Sequence, residues 1–317
     1  MIGFILRRIL QAIPLVIGVS LIAFALMHLA PGGPLAVYTL NPTIQAQDIE
    51  RIKIILGLDQ PLHIQYFRWA TGMLSGHWGF SFFGGRPVLD IILERFPATL
   101  ILMGSALSVA IILGLGVGIL GAVKRYSIFD TLATSGALVA LSFPTFWFGL
   151  MAIYLFAINL RWLPSGGMYE FGEEGNIFSL LRHLVLPTMV LALVITATWS
   201  RYTRSAFLEV MNQDFMRTAR AKGEPQSARL FRHAFPNAAK PLIALLGVEL
   251  PFLFSGALVT ETIFGWPGMG RLFVDSLNMK EYPILMGLMM FTALFVIVGN
   301  LIADIAIAAM DPRVRLA

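Results

Sequence analysis

Apolar residues along this chain fall into long, nearly uncharged runs, and six of them reach or approach the roughly 20 residues that a helix needs to cross a bilayer. Inside hydrocarbon every backbone N–H and C=O must be bonded within its own segment, so each run predicts a helix. The first extends from about Ile9 to Ala30. The second lies between Arg95 and Lys124 and the third between Asp130 and Arg161, neither with a charged residue inside. The fourth, between Arg182 and Arg201, has 18 uncharged residues, enough when the flanking arginines snorkel to the interfaces. The fifth runs from about Leu242 to Ile263 and the sixth from about Ile284 to Ala309; Glu249 lies within the fifth and Asp304 within the sixth. Arg7 and Arg8 ahead of the first run, and the triplet Ala23-Phe24-Ala25 within it, resemble a secretory leader. The apolar stretch is too long for one and is read as a retained span.

The segments between the runs set the sidedness. Fourteen of the 23 Lys and Arg residues fall on one side of the six spans, in short segments that include Arg7, Arg8, Lys124, Arg125 and the stretch from Arg201 to Lys240. That side is predicted to be cytoplasmic, with both termini inside. The other side carries acids such as Asp48, Asp59, Glu170, Glu173 and Glu174. The polar segment from Pro31 to Pro97 is too long for a simple connector and contains helix-compatible stretches at Ile49–Leu56 and Leu62–Leu74. It is expected to fold as an external element between the first two spans, either a cap over the helix ends or a docking surface. Gly76-His77-Trp78-Gly79 and Gly84-Gly85-Arg86-Pro87 read as turns within it.

Composition agrees with a lipid solvent: 57% of the 317 residues are hydrophobic and 13% charged, against about 25% charged in soluble domains. There is no cysteine, which removes disulfides and thiol metal sites. The formal charge of +5 sits in short loops beside spans rather than on a folded basic face, which argues against a nucleic-acid partner. His28, His63, His77, His183 and His233 show no metal-ligand spacing. The acids at 170, 173 and 174 read as a solvated external run, or as a site for basic residues of a partner.

The inner-face stretch from Glu209 to Ala238 carries the most information. Asn212 or Asp214 is suited to cap a short helix, and Gly223 followed by Pro225 is a stop signal. A second short helix is expected from Pro225 to about Phe235, making a hairpin at the membrane surface. Its first arm presents Ala219 and Ala221 between Arg217, Arg220 and Lys222. Such a helix is built to enter a groove of a partner, or to rest on anionic headgroups. Within the bundle, Ser142-Phe143-Pro144-Thr145 interrupts the third span, and the segment Glu249 to Gly256, with Pro251, Phe252 and Ser255, interrupts the fifth. Both are candidates for a solute path, because kinked polar backbone at membrane depth must face protein or a wet cavity. Glu249 suits either a cavity wall or a structural bond to a neighbouring helix. Asp304, with Asn300 one turn away, reads as structural.

At these residues the chain resembles the inner-membrane permeases of ABC importers, in the dipeptide, oligopeptide and nickel permease branch. The string RTARAKG from Arg217 to Gly223 is similar to the branch's cytoplasmic signature, with Phe235-Pro236 in place of its Leu-Pro. Arg217 stands where the broader motif has Glu and His233 where it has an apolar residue, and Glu224-Pro225 replaces the branch's usual apolar and small pair. FILRRIL from Phe4, Ala30-Pro31-Gly32-Gly33-Pro34, LGLDQPLHIQYF from Leu56, Trp162-Leu163-Pro164-Ser165-Gly166-Gly167, ETIFGWPGMGRL from Glu261, and Asn300, Asp304 and Asp311-Pro312-Arg313 extend the likeness over nearly the whole length.

The resemblance implies a type I ABC importer permease fold in a prokaryotic cell membrane: a first helix over residues 1–30, an external element over 31–97, a permease core over 98–310 with a cytoplasmic coupling loop at 205–240, and a tail at 311–317. It implies a heterodimer with a homologous permease, two ATPases beneath and an external substrate-binding protein above, moving small peptides, or else nickel or glutathione. Phe215, Arg217, Thr218, Ala219, Arg220, Ala221, Lys222 and Gly223 would form the coupling helix, and Ser142, Phe143, Pro144, Glu249, Phe252 and Ser255 would line the path. The chain holds no ATP site of its own, since no lysine follows a glycine as a P-loop requires. ATP and Mg would belong to the partners, and the chain would be no enzyme. Two other readings stay open on the residues alone. An intramembrane enzyme would use Glu249 and Asp304, and an ion-driven transporter would require repeated halves.

Overall fold

A computed structural model of the chain describes residues 2–30, 32–35, 39, 45–55, 57–249, 251–255 and 257–310, with the backbone alone at 2–4, 46, 254–255 and 306–310. Pro31, Gly256, the Ser255 side chain and Asp311-Pro312-Arg313 with the rest of the tail lie outside the described residues. Among those described there is no strand, only an isolated bridge between Phe80 and Pro87. In order, the helices are α1 (Ile2–Leu29), α2 (Ala46–Ile55), α3 (Leu62–Leu74), α4 (Val88–Val123), α5 (Ile128–Ser142), α6 (Thr145–Ala152, running on as a π-helical turn over Ile153–Asn159) and α7 (Ile177–Met211). Then come α8 (Asp214–Ala221), a turn at Gln226–Ala228, a π-helical segment Arg229–Ala234, α9 (Phe235–Glu249), α10 (Phe252–Ser255), α11 (Leu258–Ile263), α12 (Met269–Asn278) and α13 (Tyr282–Met310).

Among the described residues four helices, α1, α4, α7 and α13, are long and apolar enough to cross a membrane, and a fifth crossing arises if α5 and α6 are one broken span. The break there bends the chain by 99°. Pro144 causes it: the residue before a proline is pushed out of the helical region, and Phe143 is extended at φ −96°, ψ 141°. The fifth apolar run, expected to be interrupted between Glu249 and Gly256, is three pieces, α9, α10 and α11. Pro251, which cannot donate to a helical ladder, stands between the first two. Element ends also differ. The fourth span does not stop at Arg201 but continues as one helix to Met211, and α4 begins at Val88, well before the apolar run, with Pro97 inside it.

The bundle is built on the seam between α4 and α7. Gly114, Gly118 and Gly121 form a small-residue stripe on α4 that lets α7 approach to backbone contact. A Cβ at Gly118 would lie 2.5 Å from the Thr203 Cβ and 2.7 Å from the Ser200 carbonyl oxygen. Next to this seam the Arg204 guanidinium grips Asp130 with two hydrogen bonds, 2.5 and 2.8 Å, and the Tyr126 amide donates to the same carboxylate at 2.9 Å. The connection between α4 and α5 is thereby pinned to α7. α1 lies on α13, with Ala23 and Phe24 packed against Met286 and Arg8 Nε 3.2 Å from Asp304. Asp304 is thus a structural partner of the first helix.

Two buried acids organise the opposite end. Glu261 accepts from the Thr99 hydroxyl at 3.0 Å and the Arg271 amide at 3.0 Å, while the Met269 amide donates to Thr99 at 2.8 Å. The fully buried Trp266 donates its indole N–H to the Ala98 carbonyl at 2.8 Å. The ETIFGWPGMGRL string is therefore folded back onto the start of α4. Glu281 accepts from the Ser81 hydroxyl and the Phe82 and Phe83 amides at 2.6, 2.9 and 2.8 Å, which fastens the Phe80–Pro87 loop of the 31–97 segment to the base of α13.

Candidate functional site

α7 ends at Met211, and after a tight turn α8 starts at Asp214. Gln213, with an extended backbone, occupies the cap position, so neither Asn212 nor Asp214 acts as the expected cap. Asp214 in the first turn and Arg220 in the last complement the helix dipole. Arg217 and Asp214 pair at 3.5 Å, but both are so exposed that the pair adds little.

The far end of α8 closes as the stop signal predicted. Gly223 adopts φ +76°, the left-handed geometry that favours glycine. Its amide donates to the Arg220 carbonyl at 3.0 Å, and the Glu224 amide donates to the Ala219 carbonyl at 3.2 Å, together a Schellman closure.

The second arm departs from expectation. Pro225 is a cap rather than a first-turn residue, and the helix does not end at Phe235. It passes through the π-helical Arg229–Ala234 segment into α9 without interruption. Pro236 has no N–H for the Arg232 carbonyl, and its ring would crowd that carbonyl in an α-turn; the wider π-turn relieves the clash.

α8 has two faces. Met216 is buried in a cluster with Ala122, Phe207, Val210, Ala234 and Ala238, and Ala219, one turn on, is buried as well. Phe215, Arg217, Thr218, Arg220, Ala221, Lys222 and Gly223 face outward and are exposed. Seven of the eight expected coupling residues thus share the open side, with three cationic side chains. Ala219 belongs instead to the chain's own core. Met216, overlooked in the sequence, anchors the helix; its i, i+3 spacing to Ala219 is the signal that identifies it.

The path candidates are less unified. The Ser142 hydroxyl is bonded to the Leu138 carbonyl of its own helix at 2.8 Å. Phe143 is exposed and stacks on Trp147 with ring centroids 5.0 Å apart, and Pro144 caps α6. α6 lies against α11, where Gly149 faces Ile263 and Phe264. Glu249 is half-buried at the end of α9, and Phe252 is exposed on α10, which lies against α4 and α13. Two of the histidines do structural work: His28 bridges the Phe24 carbonyl and Gln65, and His183 bonds the Ser179 carbonyl. Among the described residues no cluster of His, Asp and Glu is suited to hold a metal.

Comparison with known proteins gives the family. Residues 110–316 match the family described as binding-protein-dependent transport system inner membrane component, and residues 1–103 match its N-terminal companion. The chain is 41% identical over 316 residues to an oligopeptide transport system permease protein of Bacillus subtilis, AppB, covering 99% of this chain and all of that one. It is 36% identical over 315 residues to the glutathione transport system permease protein GsiC of Escherichia coli, covering 99% of each. Among solved structures, an amino acid ABC transporter superposes with a TM-score of 0.50 at 17% identity, over 71% of this chain and 94% of that one; the likeness is one of fold. The chain therefore belongs to the binding-protein-dependent transport system inner membrane components, and is a multi-pass permease subunit of an ABC importer rather than an enzyme.

Proposed function

We propose that this permease carries small peptides and couples to its motor through α8. In this reading the chain crosses the membrane six times with both termini in the cytoplasm. The bent α5–α6 pair makes the third crossing and the α9–α11 pieces the fifth. Residues 31–97 stand outside as the external element, 98–310 form the permease core with its coupling loop at 205–240, and 311–317 form an inner tail. A homologous second permease completes the path. Two ATPase subunits, which bind ATP and Mg, sit beneath, and an external binding protein delivers solute. The path passes the breaks at Ser142, Phe143 and Pro144 and at Glu249, Phe252 and Ser255, where the helices are interrupted.

The observation that carries the reading is the two-faced α8. Met216 roots it in the bundle and Ala219 is buried, while Arg217, Arg220 and Lys222 surround the small Ala221 and Gly223 on the free side. A short cationic helix with small residues at its tip fits a cleft with an acidic rim. Closure of the ATPases around ATP would favour one bundle conformation and hydrolysis release it, which makes the work a coupling free energy between two sites. Peptide as the solute is supported by the oligopeptide permease relative, whose identity exceeds that of the glutathione permease.

The test is reconstitution. Purified with its genomic neighbours, the chain is expected to bring down a second permease and ATPases, and proteoliposomes are expected to accumulate labelled dipeptide or oligopeptide only with ATP and binding protein. Uptake by the chain alone, driven by an ion gradient, would overturn the reading.

A further inference from the structure

The α8 hairpin is held to the bundle in two ways. The first is apolar: Met216 sits among Ala234 and Ala238, so α8 rests on the start of the rod that becomes α9. Apolar contact is non-directional and permits rolling. The second is polar and directional. Glu224, whose amide closes the end of α8 on the Ala219 carbonyl, sends its side chain across the turn, and its Oε2 accepts from His233 Nε2 at 2.8 Å. His233 lies in the π-helical Arg229–Ala234 segment, and its carbonyl accepts from the Asn237 side-chain amide at 2.9 Å on the first turn of α9. Both side chains of the pair are about 30% exposed, at 30% for His233 and 29% for Glu224, so water screens the contact only in part.

The only backbone link between the two arms is the turn at Gly223, Glu224 and Pro225. A Cβ at Gly223 would meet nothing within 4 Å, so the turn has open space in which to flex. Without a brace, a push on α8 would be spent in bending there. We infer that the Glu224–His233 pair is the strut that makes α8 and the entry to α9 one rigid lever, so that displacement of α8 is delivered to the fifth crossing. Glu224 and His233 are positioning residues: they touch neither solute nor nucleotide. The inference rests on the coupling role proposed for α8.

The experiment is the ratio of ATP hydrolysed to solute transported in proteoliposomes holding the full importer with its binding protein. E224A is expected to raise that ratio about fivefold, the low end of typical coupling strengths. E224Q, which keeps an acceptor for the imidazole N–H, is expected to stay near the parent, and the exchange E224H/H233E to recover most of the loss. Because the exchange variant retains both groups, it decides the matter even if E224A assembles poorly. A parent-like ratio in E224A, or an exchange variant as uncoupled as E224A, overturns the strut. If the parent complex itself shows no ATP-dependent uptake, it is the coupling reading beneath it that has failed.

Discussion

Asp130 and Arg204 face each other across 74 positions of sequence and meet in a two-pronged ion pair, with Arg204 Nε 2.5 Å from one carboxylate oxygen and its terminal nitrogen 2.8 Å from the other. The pair joins the start of α5 to α7 at the end of the bundle where the α8 hairpin emerges. The Asp130 side chain is 5% exposed and that of Arg204 28%, so removing either leaves a charge largely out of water. D130A and R204A are each expected to lower the apparent unfolding midpoint of the detergent-solubilised protein by roughly 5 °C or more. The double variant is expected to lose less than the sum of the two; strictly additive losses would show that the pair contributes no mutual energy.

The glycine stripe makes a sharper contrast. Gly118 has no room for a methyl group, while Gly116, on the same helix, has nothing within 4 Å of its missing Cβ. G118A is expected to cost about 1–3 kcal/mol through overpacking and to reduce the amount of folded protein in membranes, with G118V accumulating hardly at all. G116A is expected to match the parent. Immunoblots of membrane fractions and size-exclusion profiles measure both, and equal behaviour of the two alanine variants would refute the close seam.

Gly223 combines a left-handed backbone with open surroundings, so the objection to a side chain there is conformational rather than steric. Asparagine tolerates this geometry and β-branched residues do not. G223N is expected to retain most ATP-dependent uptake and G223V to lose most of it while the protein remains in the membrane. Full uptake by G223V counts against the coupling role of the hairpin.

The free face of α8 is cationic, so its proposed partner surface is complementary in sign. R220E/K222E is expected to reduce recovery of ATPase subunits in pull-downs by about tenfold or more, since like charges brought together at an interface cost several kcal/mol. Parent-like recovery would move the docking surface elsewhere.

Glu281 holds the amides of Phe82 and Phe83 with a buried carboxylate. Hydrogen bonds to charged groups contribute about 1.5–3 kcal/mol, so E281A is expected to speed hydrogen exchange in the 80–86 segment about tenfold or more. Unchanged exchange there would mean that the loop is held by other contacts.

How much of this was visible in the residues depends on the range of the interaction. α3 was bounded correctly at Leu62 and Leu74 because Pro61 and the Ser-Gly pair beyond it are local signals. Gly223 likewise announced the end of α8. The apolar runs foretold α1, α4, α7 and α13, since span length is a one-dimensional property. What failed was continuity. Nothing in the composition around Arg201 tells a helix to stop when it leaves the lipid, and α7 does not. The second arm is expected to end at about Phe235, yet the helix runs on through a π-turn that accommodates Pro236. Pairings across a turn or between helices had no linear signature. Glu224 and His233 stand as two separate departures from the family pattern until the fold brings them together, and Asp130 and Arg204 as a span boundary and one of several inner-face cations.

The backbone contact along Gly118 has a mechanical corollary. Two helices that touch main chain to main chain, with Thr203 and Ser200 filling the gap, have no layer of pliable side chains on which to glide. They behave as a single plank. Whatever opening and closing the bundle performs is thereby left to its jointed parts, the elbow at Phe143 and the interrupted α9–α11 segment around Pro251, swinging against a frame that keeps its shape.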